Sequence, residues 1–302
     1  MKIFKNINEG IKFDLSIVGL GYEQRSTHVF QSENALQESC LVLGYTYHTD
    51  KFDYQKNKKY FDGCLVKEVE DDDVEAEVLS FIEEKNHGGG KVNLLLDITV
   101  LSRHRLAVVI WNCLQKLPKG SILRVAYTLS DFVPPPEVTP PVKEIGPIIS
   151  HLEGMPSNVG LPTSLVVSLG YEENKALGAS NYIDANEVVA FIPSGNVLKF
   201  NEEVVKSNKN FLRSVSERNR FTYDLHSPYK TYAELKSVVL SLMRESRPII
   251  LPLGPKIIAA LSVVLGVELY PMLPVWRLSS KGAEEPVNRK ASGHVVFFDF
   301  EI

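Results

Sequence analysis

An apolar, strand-like run closed by Gly-Tyr-Glu occurs twice in this chain, about half a chain apart. The first copy is Ser16-Ile17-Val18-Gly19-Leu20-Gly21-Tyr22-Glu23-Gln24-Arg25-Ser26. The second is Leu165-Val166-Val167-Ser168-Leu169-Gly170-Tyr171-Glu172-Glu173-Asn174. A short unbroken apolar run reads as a strand buried on both faces. The glycine after it reads as a tight turn where backbone can come close to another group. Two such runs predict two copies of one unit.

The remaining signals alternate between strand and helix. In the first half, strands are expected over Phe13 to Leu20, Ser39 to Tyr45, Val92 to Leu96 and Ser121 to Thr128. Helices are expected over Arg25 to Gln37, Val74 to Lys85 and Ser102 to Leu117, with His87-Gly88-Gly89-Gly90 stopping the second. Tyr54 to Tyr60, polar and aromatic, fits neither period. In the second half, strands are expected over Ser164 to Leu169, Glu187 to Ile192, Pro248 to Leu253, within Val267 to Arg277, and over Gly293 to Phe300. Helices are expected over Glu202 to Val215, Tyr232 to Arg244 and Pro255 to Leu265. Alternation of this kind predicts parallel sheets with helices on both faces. The expected fold is α/β, two Rossmann-like halves with mostly parallel sheets related by internal duplication. The halves are residues 1–133 and 163–302. Between them, residues 134–162 hold Pro134-Pro135-Pro136 and Pro140-Pro141, a density that forbids a helix or a central strand. A crossing of that length is expected to pack in part on the body or to loop over a site.

Composition excludes several classes. The chain has 302 residues, 44% of them hydrophobic, enough for two domains. With 33 Lys and Arg against 37 Asp and Glu the net charge is −4, so there is no nucleic-acid footprint. The acidic run Glu68 to Glu77 reads as a solvated loop leading into a helix. Three cysteines, Cys40, Cys64 and Cys113, lie far apart, which argues against a disulfide framework or a CxxC zinc site. Met1 to Gly10 has no signal-peptide apolar region, and no apolar run approaches membrane-spanning length. No membrane association is expected, and the expected compartment is cytoplasmic.

In open α/β sheets, ligands bind beyond the carboxyl ends of the strands, where helix N-termini attract anions. Four segments carry suitable residues. In the first, Gly21 permits close approach, Tyr22 can stack on a base, Glu23 supplies a carboxylate and Arg25 can pair with phosphate. The spacing is not that of a dinucleotide fingerprint, because the third glycine is missing. The competing reading is a plain strand-to-helix turn. In the second, Asp97 suits a ribose hydroxyl or a metal, and Thr99, Ser102 and Arg103 suit phosphate. Here the competing reading is a capped helix start. The third, Leu253-Gly254-Pro255-Lys256, places Lys256 at a helix start with Pro255 as its first residue. The fourth is Trp276-Arg277-Leu278-Ser279-Ser280-Lys281-Gly282, in which Arg277 is the candidate cation. P-loop, HExxH, GxSxG and EF-hand signatures are absent. His104 is the single histidine beside a candidate segment and reads as a helix-surface residue. Glu23 and Asp97, at neighbouring strand ends, are the candidate catalytic carboxylates. No metal centre is expected, and no cofactor is named by the sequence.

The run Asp97-Ile98-Thr99-Val100-Leu101-Ser102-Arg103-His104-Arg105-Leu106 resembles the ligand motif of CARF domains, Rossmann-like sensors of CRISPR-linked antiviral systems. That motif runs roughly Asn-Leu-Thr-Gly-Gly-Thr-Lys. Ile98, Thr99, Ser102 and Arg103 match by chemical type, Asp97 stands for the asparagine, and Val100 and Leu101 replace the two glycines. The duplication is similar to the paired CARF-like units of SAVED domains. The resemblance implies binding of a cyclic oligonucleotide or similar nucleotide signal between the halves. It also implies ligand contacts from Thr99, Ser102 and Arg103, with Lys256 in the pseudo-equivalent place.

Together these readings predict a nucleotide- or phosphate-ligand-binding sensor or regulatory protein, which the resemblance places in bacterial antiviral defence. An effector protein partner is expected, and a homodimer is a further expectation. Two alternatives stand beside it: a nucleotide- or nucleoside-processing hydrolase or transferase using Glu23 and Asp97, and a non-catalytic scaffold subunit of a complex.

Overall fold

The structure, a computed structural model, describes residues 2–4, 11–33, 35–86, 89–135, 140–155, 160–195, 197–280 and 285–302. The chain divides into two compact units, Met1–Asp131 with Pro286–Ile302, and Phe132–Glu285. The α/β class holds, with mostly parallel sheets. Among the described residues, no helix is long and apolar enough to cross a membrane.

The first unit runs β1 (Lys2–Phe4), β2 (Leu15–Gly19), α1 (His28–Ser32), β3 (Cys40–Tyr45), α2 (Tyr54–Tyr60), β4 (Leu65–Val69), α3 (Val74–Lys85), β5 (Asn93–Asp97), α4 (Arg103–Lys116) and β6 (Ile122–Ser130). Its parallel strands lie in the order β4-β3-β2-β5-β6. The central strand β2 is buried along its whole length, as its unbroken apolar run predicts. Tyr54 to Tyr60, which fits neither period in sequence, is helix α2. The expected helix over Arg25 to Gln37 is instead a 3-10 turn, Gln24–Thr27, followed by the single short helix α1. The side chains of Arg25 and Ser26 bond back to strand ends, which holds this stretch against the sheet. The acidic run is also partly strand, since Glu68 and Val69 belong to β4. Helix α3 ends at Lys85 as expected, and His87 and Gly88 of its stop signal lie outside the described residues.

The second unit runs β7 (Glu144–Pro147), β8 (Thr163–Ser168), α5 (Lys175–Ile183), β9 (Glu187–Ser194), α6 (Leu198–Ser207), α7 (Lys209–Ser214), β10 (Arg220–Asp224), α8 (Pro228–Leu242), β11 (Arg247–Pro252), α9 (Lys256–Glu268) and β12 (Trp276–Ser279). Its parallel sheet has the order β10-β9-β8-β11. Counted from the Gly-Tyr-Glu strand, both units therefore place their strands 3-2-1-4. The apolar helix α9 is buried from Ile257 to Gly266, as a helix without a polar face must be. Part of the proline-rich crossing is structured: β7 pairs antiparallel with β12.

The last strand, β13 (Ala291–Glu301), overturns one sequence boundary. Expected in the second half, it pairs antiparallel with β6 and β1 of the first unit. The register places Asp299 opposite Arg124, and the two form a bidentate ion pair at 2.7 and 2.9 Å, with Arg124 also 4.2 Å over the Phe297 ring. A desolvated, doubly bonded pair of this kind fixes one register, because a slip would strand two buried charges.

Candidate functional site

In the first unit, chain order reverses between β2 and β5: β3 and β4 extend one way from β2, β5 and β6 the other. This is the position where open α/β sheets form a ligand crevice. Here the loops beyond β2 and β5 are packed together. A Cβ on Gly19 would lie 2.8 Å from Val100 Cγ2, and one on Gly21 would lie 3.0 Å from Val100 Cβ. Val100 and Leu101 are themselves buried. Val100 and Leu101 thus fill the space next to Gly19, and Val100 that next to Gly21.

The second unit closes the same junction with backbone. A Cβ on Gly170 would lie 2.8 Å from the carbonyl oxygen of Leu253, and one on Gly254 would lie 2.8 Å from that of Leu169. Each unit also holds its Gly-Tyr-Glu turn with a buried asparagine from the helical segment after its second strand. Asn57 Nδ2 donates to the carbonyls of Gly21 at 2.8 Å and Glu23 at 2.9 Å. Asn208 Nδ2 donates to that of Gly170 at 2.6 Å. Sequence reading missed both asparagines, because nothing local distinguishes a clamping amide from a surface one.

The candidates of the first unit, Gly21, Tyr22, Glu23, Arg25, Asp97, Thr99, Ser102 and Arg103, come together at the ends of β2 and β5, and most serve the fold there. Asp97 is 1% exposed and its Oδ1 accepts the Thr99 N–H at 2.8 Å. Thr99 Oγ1 accepts the Thr128 N–H at 2.9 Å. Ser102 Oγ caps α4 by accepting the Arg105 N–H at 3.1 Å, and Arg103 is the first residue of that helix. Glu23 receives Arg25 Nε at 2.7 Å on one oxygen and Arg289 at 3.3 Å on the other. Arg25, 3% exposed, also donates to the Thr128 carbonyl at 2.6 Å. Burial alone would lower the Arg25 pKa, but Tyr127 and Glu23 beside it hold it above the ordinary guanidinium value. Arg105, fully buried, bonds Asp71, the Gly44 carbonyl and the Val69 carbonyl at 2.6 to 2.7 Å and lies 3.8 Å over the Tyr45 ring. Its signal in sequence is an arginine facing a run as apolar as Leu106 to Ile110.

Tyr22 belongs to a different surface. Its ring lies 5.9 Å from Phe52 and 6.1 Å from His48. His48 lies 5.3 Å from Tyr47, and Tyr47 lies 5.2 Å from Tyr45. These rings form a shelf where the loop between β3 and α2, which carries Tyr47, His48 and Phe52, meets Tyr22 beyond β2 and Tyr45 at the end of β3. Tyr47 is 47% and Phe52 57% exposed. His48 and Phe52 have φ of 57° and 40°, in the left-handed region that non-glycine residues seldom adopt. The Asp53 N–H donates to the Tyr22 carbonyl at 3.1 Å, and Asn288 Nδ2 to Asp53 Oδ2 at 3.2 Å, so carboxylate and amide groups edge the shelf.

Lys256 and Arg277 belong to the second unit. Lys256 opens α9 as expected, but Pro255 stands before the helix with extended backbone rather than inside it. Arg277 is not beyond a strand end: it lies within β12, opposite Gly146. It borders a groove of about 1120 Å³ lined also by Lys143, Glu144, Lys175 and Tyr182. Lys281 and Gly282 of that motif lie outside the described residues. Among the described residues, no cluster of His, Cys, Asp and Glu could hold a metal ion. No family model matches the chain, and no curated protein matches it.

Proposed function

We propose that the first unit binds a nucleoside-type ligand at the carboxyl edge of its sheet, with the base on the aromatic shelf of Tyr22, Tyr47, His48 and Phe52. The protein would act as a sensor or regulatory subunit through an effector partner. The observation that carries the reading is the shelf itself: two large exposed rings, on a loop with two left-handed non-glycine residues, at a strand end. Backbone held in sparsely populated conformations clusters at functional sites, and base–aromatic stacking contributes about 1–3 kcal/mol per base. Asp53 suits a ribose diol, and Arg103 and Arg289 are the cations of this unit assigned to phosphate. Placement in bacterial antiviral defence rests on the resemblance of Asp97 to Arg103 alone. The shared 3-2-1-4 order and the paired asparagine clamps support a duplication.

The hydrolase or transferase reading gains less support, because both oxygens of Glu23 are engaged by guanidinium groups and Oδ1 of Asp97 by backbone. Isothermal titration with mononucleotides and cyclic oligonucleotides tests the proposal. Phe52→Ala and Tyr47→Ala are expected to weaken binding about tenfold or more each, with unfolding unchanged. Binding that survives both substitutions intact would remove the shelf from the site.

A further inference from the structure

We propose that Cys40 and Cys64 are a redox pair, oxidised by hydroperoxides to an intramolecular disulfide that ties the start of β3 to the turn before β4. The parallel register sets Leu41 opposite Leu65, and Cys40 and Cys64 each stand one residue before that pair. Cys40 is buried in a cluster with Val18, Phe30, Val42 and Phe61, and Cys64 packs against that cluster from a partly exposed position. The two side chains thus meet at one cluster. They differ in the way an attacking and a resolving cysteine differ. The influence of Cys40 holds the Cys64 thiol below its ordinary value, whereas the influence of Cys64, with burial, raises Cys40. Cys113, fully buried in α4, is pushed up to about 12 by burial and serves as an inert reference.

The step balances with hydrogen peroxide as oxidant. The Cys64 thiolate attacks one peroxide oxygen, the O–O bond breaks, and protonation of the leaving hydroxide releases water and leaves a sulfenic acid. Cys40 sulfur then attacks the Cys64 sulfur, and the sulfenic oxygen leaves as a second water, taking up the Cys40 proton. Two thiols are oxidised to one disulfide, and one peroxide is reduced to two waters. The segment between the cysteines contains β3, the shelf residues Tyr45, Tyr47, His48 and Phe52, and the clamp Asn57. The disulfide anchors both ends of that segment, whatever the shelf binds.

Reduced full-length protein is treated with hydrogen peroxide near neutral pH, quenched with N-ethylmaleimide, digested and mapped by mass spectrometry. The expected result is a Cys40–Cys64 linked peptide, restored to two thiols by dithiothreitol, with Cys113 recovered unoxidised. In Cys40→Ser the reaction should stop at a Cys64 sulfenic acid that dimedone traps. Oxidation of Cys64 in the unaltered chain to sulfinic acid with Cys40 left as a thiol, linkage between chains only, or no reaction at Cys64 would each overturn the proposal.

Discussion

Gly19 marks the tightest approach of the β2 and β5 loops, and a single added methyl group tests what that glycine is for. A Cβ there would stand 2.8 Å from Val100 Cγ2, 3.0 Å from Leu101 Cδ2 and 3.2 Å from Leu101 Cγ. Favourable carbon contacts lie at about 3.5–4.0 Å, so the overlap is roughly half an ångström or more. Gly19 cannot retreat, because it pairs with Leu43 in the ladder with β3. Gly19→Ala is therefore expected to destabilise the first unit by about 2 kcal/mol, within the range for overpacking. Val100→Ala removes two buried methyl groups and should cost about 2 kcal/mol by itself. It also removes Cγ2, the atom that the methyl group of Gly19→Ala would strike first. The double substitution should then cost about 2–3 kcal/mol rather than about 4, a coupling of about 1–2 kcal/mol. Trp111 in α4 belongs to the first unit and Trp276 to the second. Urea unfolding followed by Trp111 fluorescence in a Trp276→Phe background isolates the relevant transition. Additive costs, or a Gly19→Ala chain as stable as its parent but deficient in nucleotide binding, would refute the packing account and return the glycine to a ligand.

Three further outcomes follow from the bonds described. Asp299→Asn replaces the doubly bonded carboxylate beside Arg124 with a neutral amide and leaves it the longer contact to Glu33 at 3.3 Å, and thermal unfolding should show a loss of about 1.5–3 kcal/mol from the first unit; an unchanged melting curve would show that the pair does not hold β13. Asn57→Ala and Asn208→Ala should each cost about 1–3 kcal/mol, the former in the first unit and the latter in the second, because each leaves a turn carbonyl without its amide donor; hydrogen exchange localises the loss, and equal exchange across both units would contradict the assignment. Burial tends to raise the Glu68 pKa, but hydrogen bonds from Lys58 and Tyr54 hold it below the ordinary value. A carboxylate with a depressed folded-state pKa stabilises the fold above its unfolded value and loses that contribution as pH falls through the folded one. The urea midpoint should therefore drop on acidification below about pH 4–5, and Glu68→Gln should flatten the drop; an identical pH profile in the variant would count against it.

The α/β class and most of the central strands were legible in the order of residues, because a strand buried on both faces needs an unbroken apolar run and the chain supplies one each time. Helix α4 was legible for a related reason: Ser102 is a cap residue ahead of a long apolar stretch, and it caps. The Gly-Tyr-Glu repeat was legible as a pattern, and so was the choice it left between ligand contact and structural turn. Only the folded chain shows what these glycines pack against: Val100 beside Gly19 and Gly21, and the Leu253 carbonyl beside Gly170. Those neighbours are remote along the chain and adjacent only in the fold. The membership of β13, the clamping of Asn57 and Asn208, and the internal bonds of Asp97, Thr99 and Arg25 are of the same kind. So is the shelf: Tyr22 was legible as a stacking candidate, but Tyr47 and Phe52 carry no signal as letters and join it as a surface only when the β2 and β3 loops meet. Sequence by itself determined which segments must be buried, a property each segment carries in its own side chains. Tertiary structure decided which polar groups those segments engage, a property that exists between segments and depends on register.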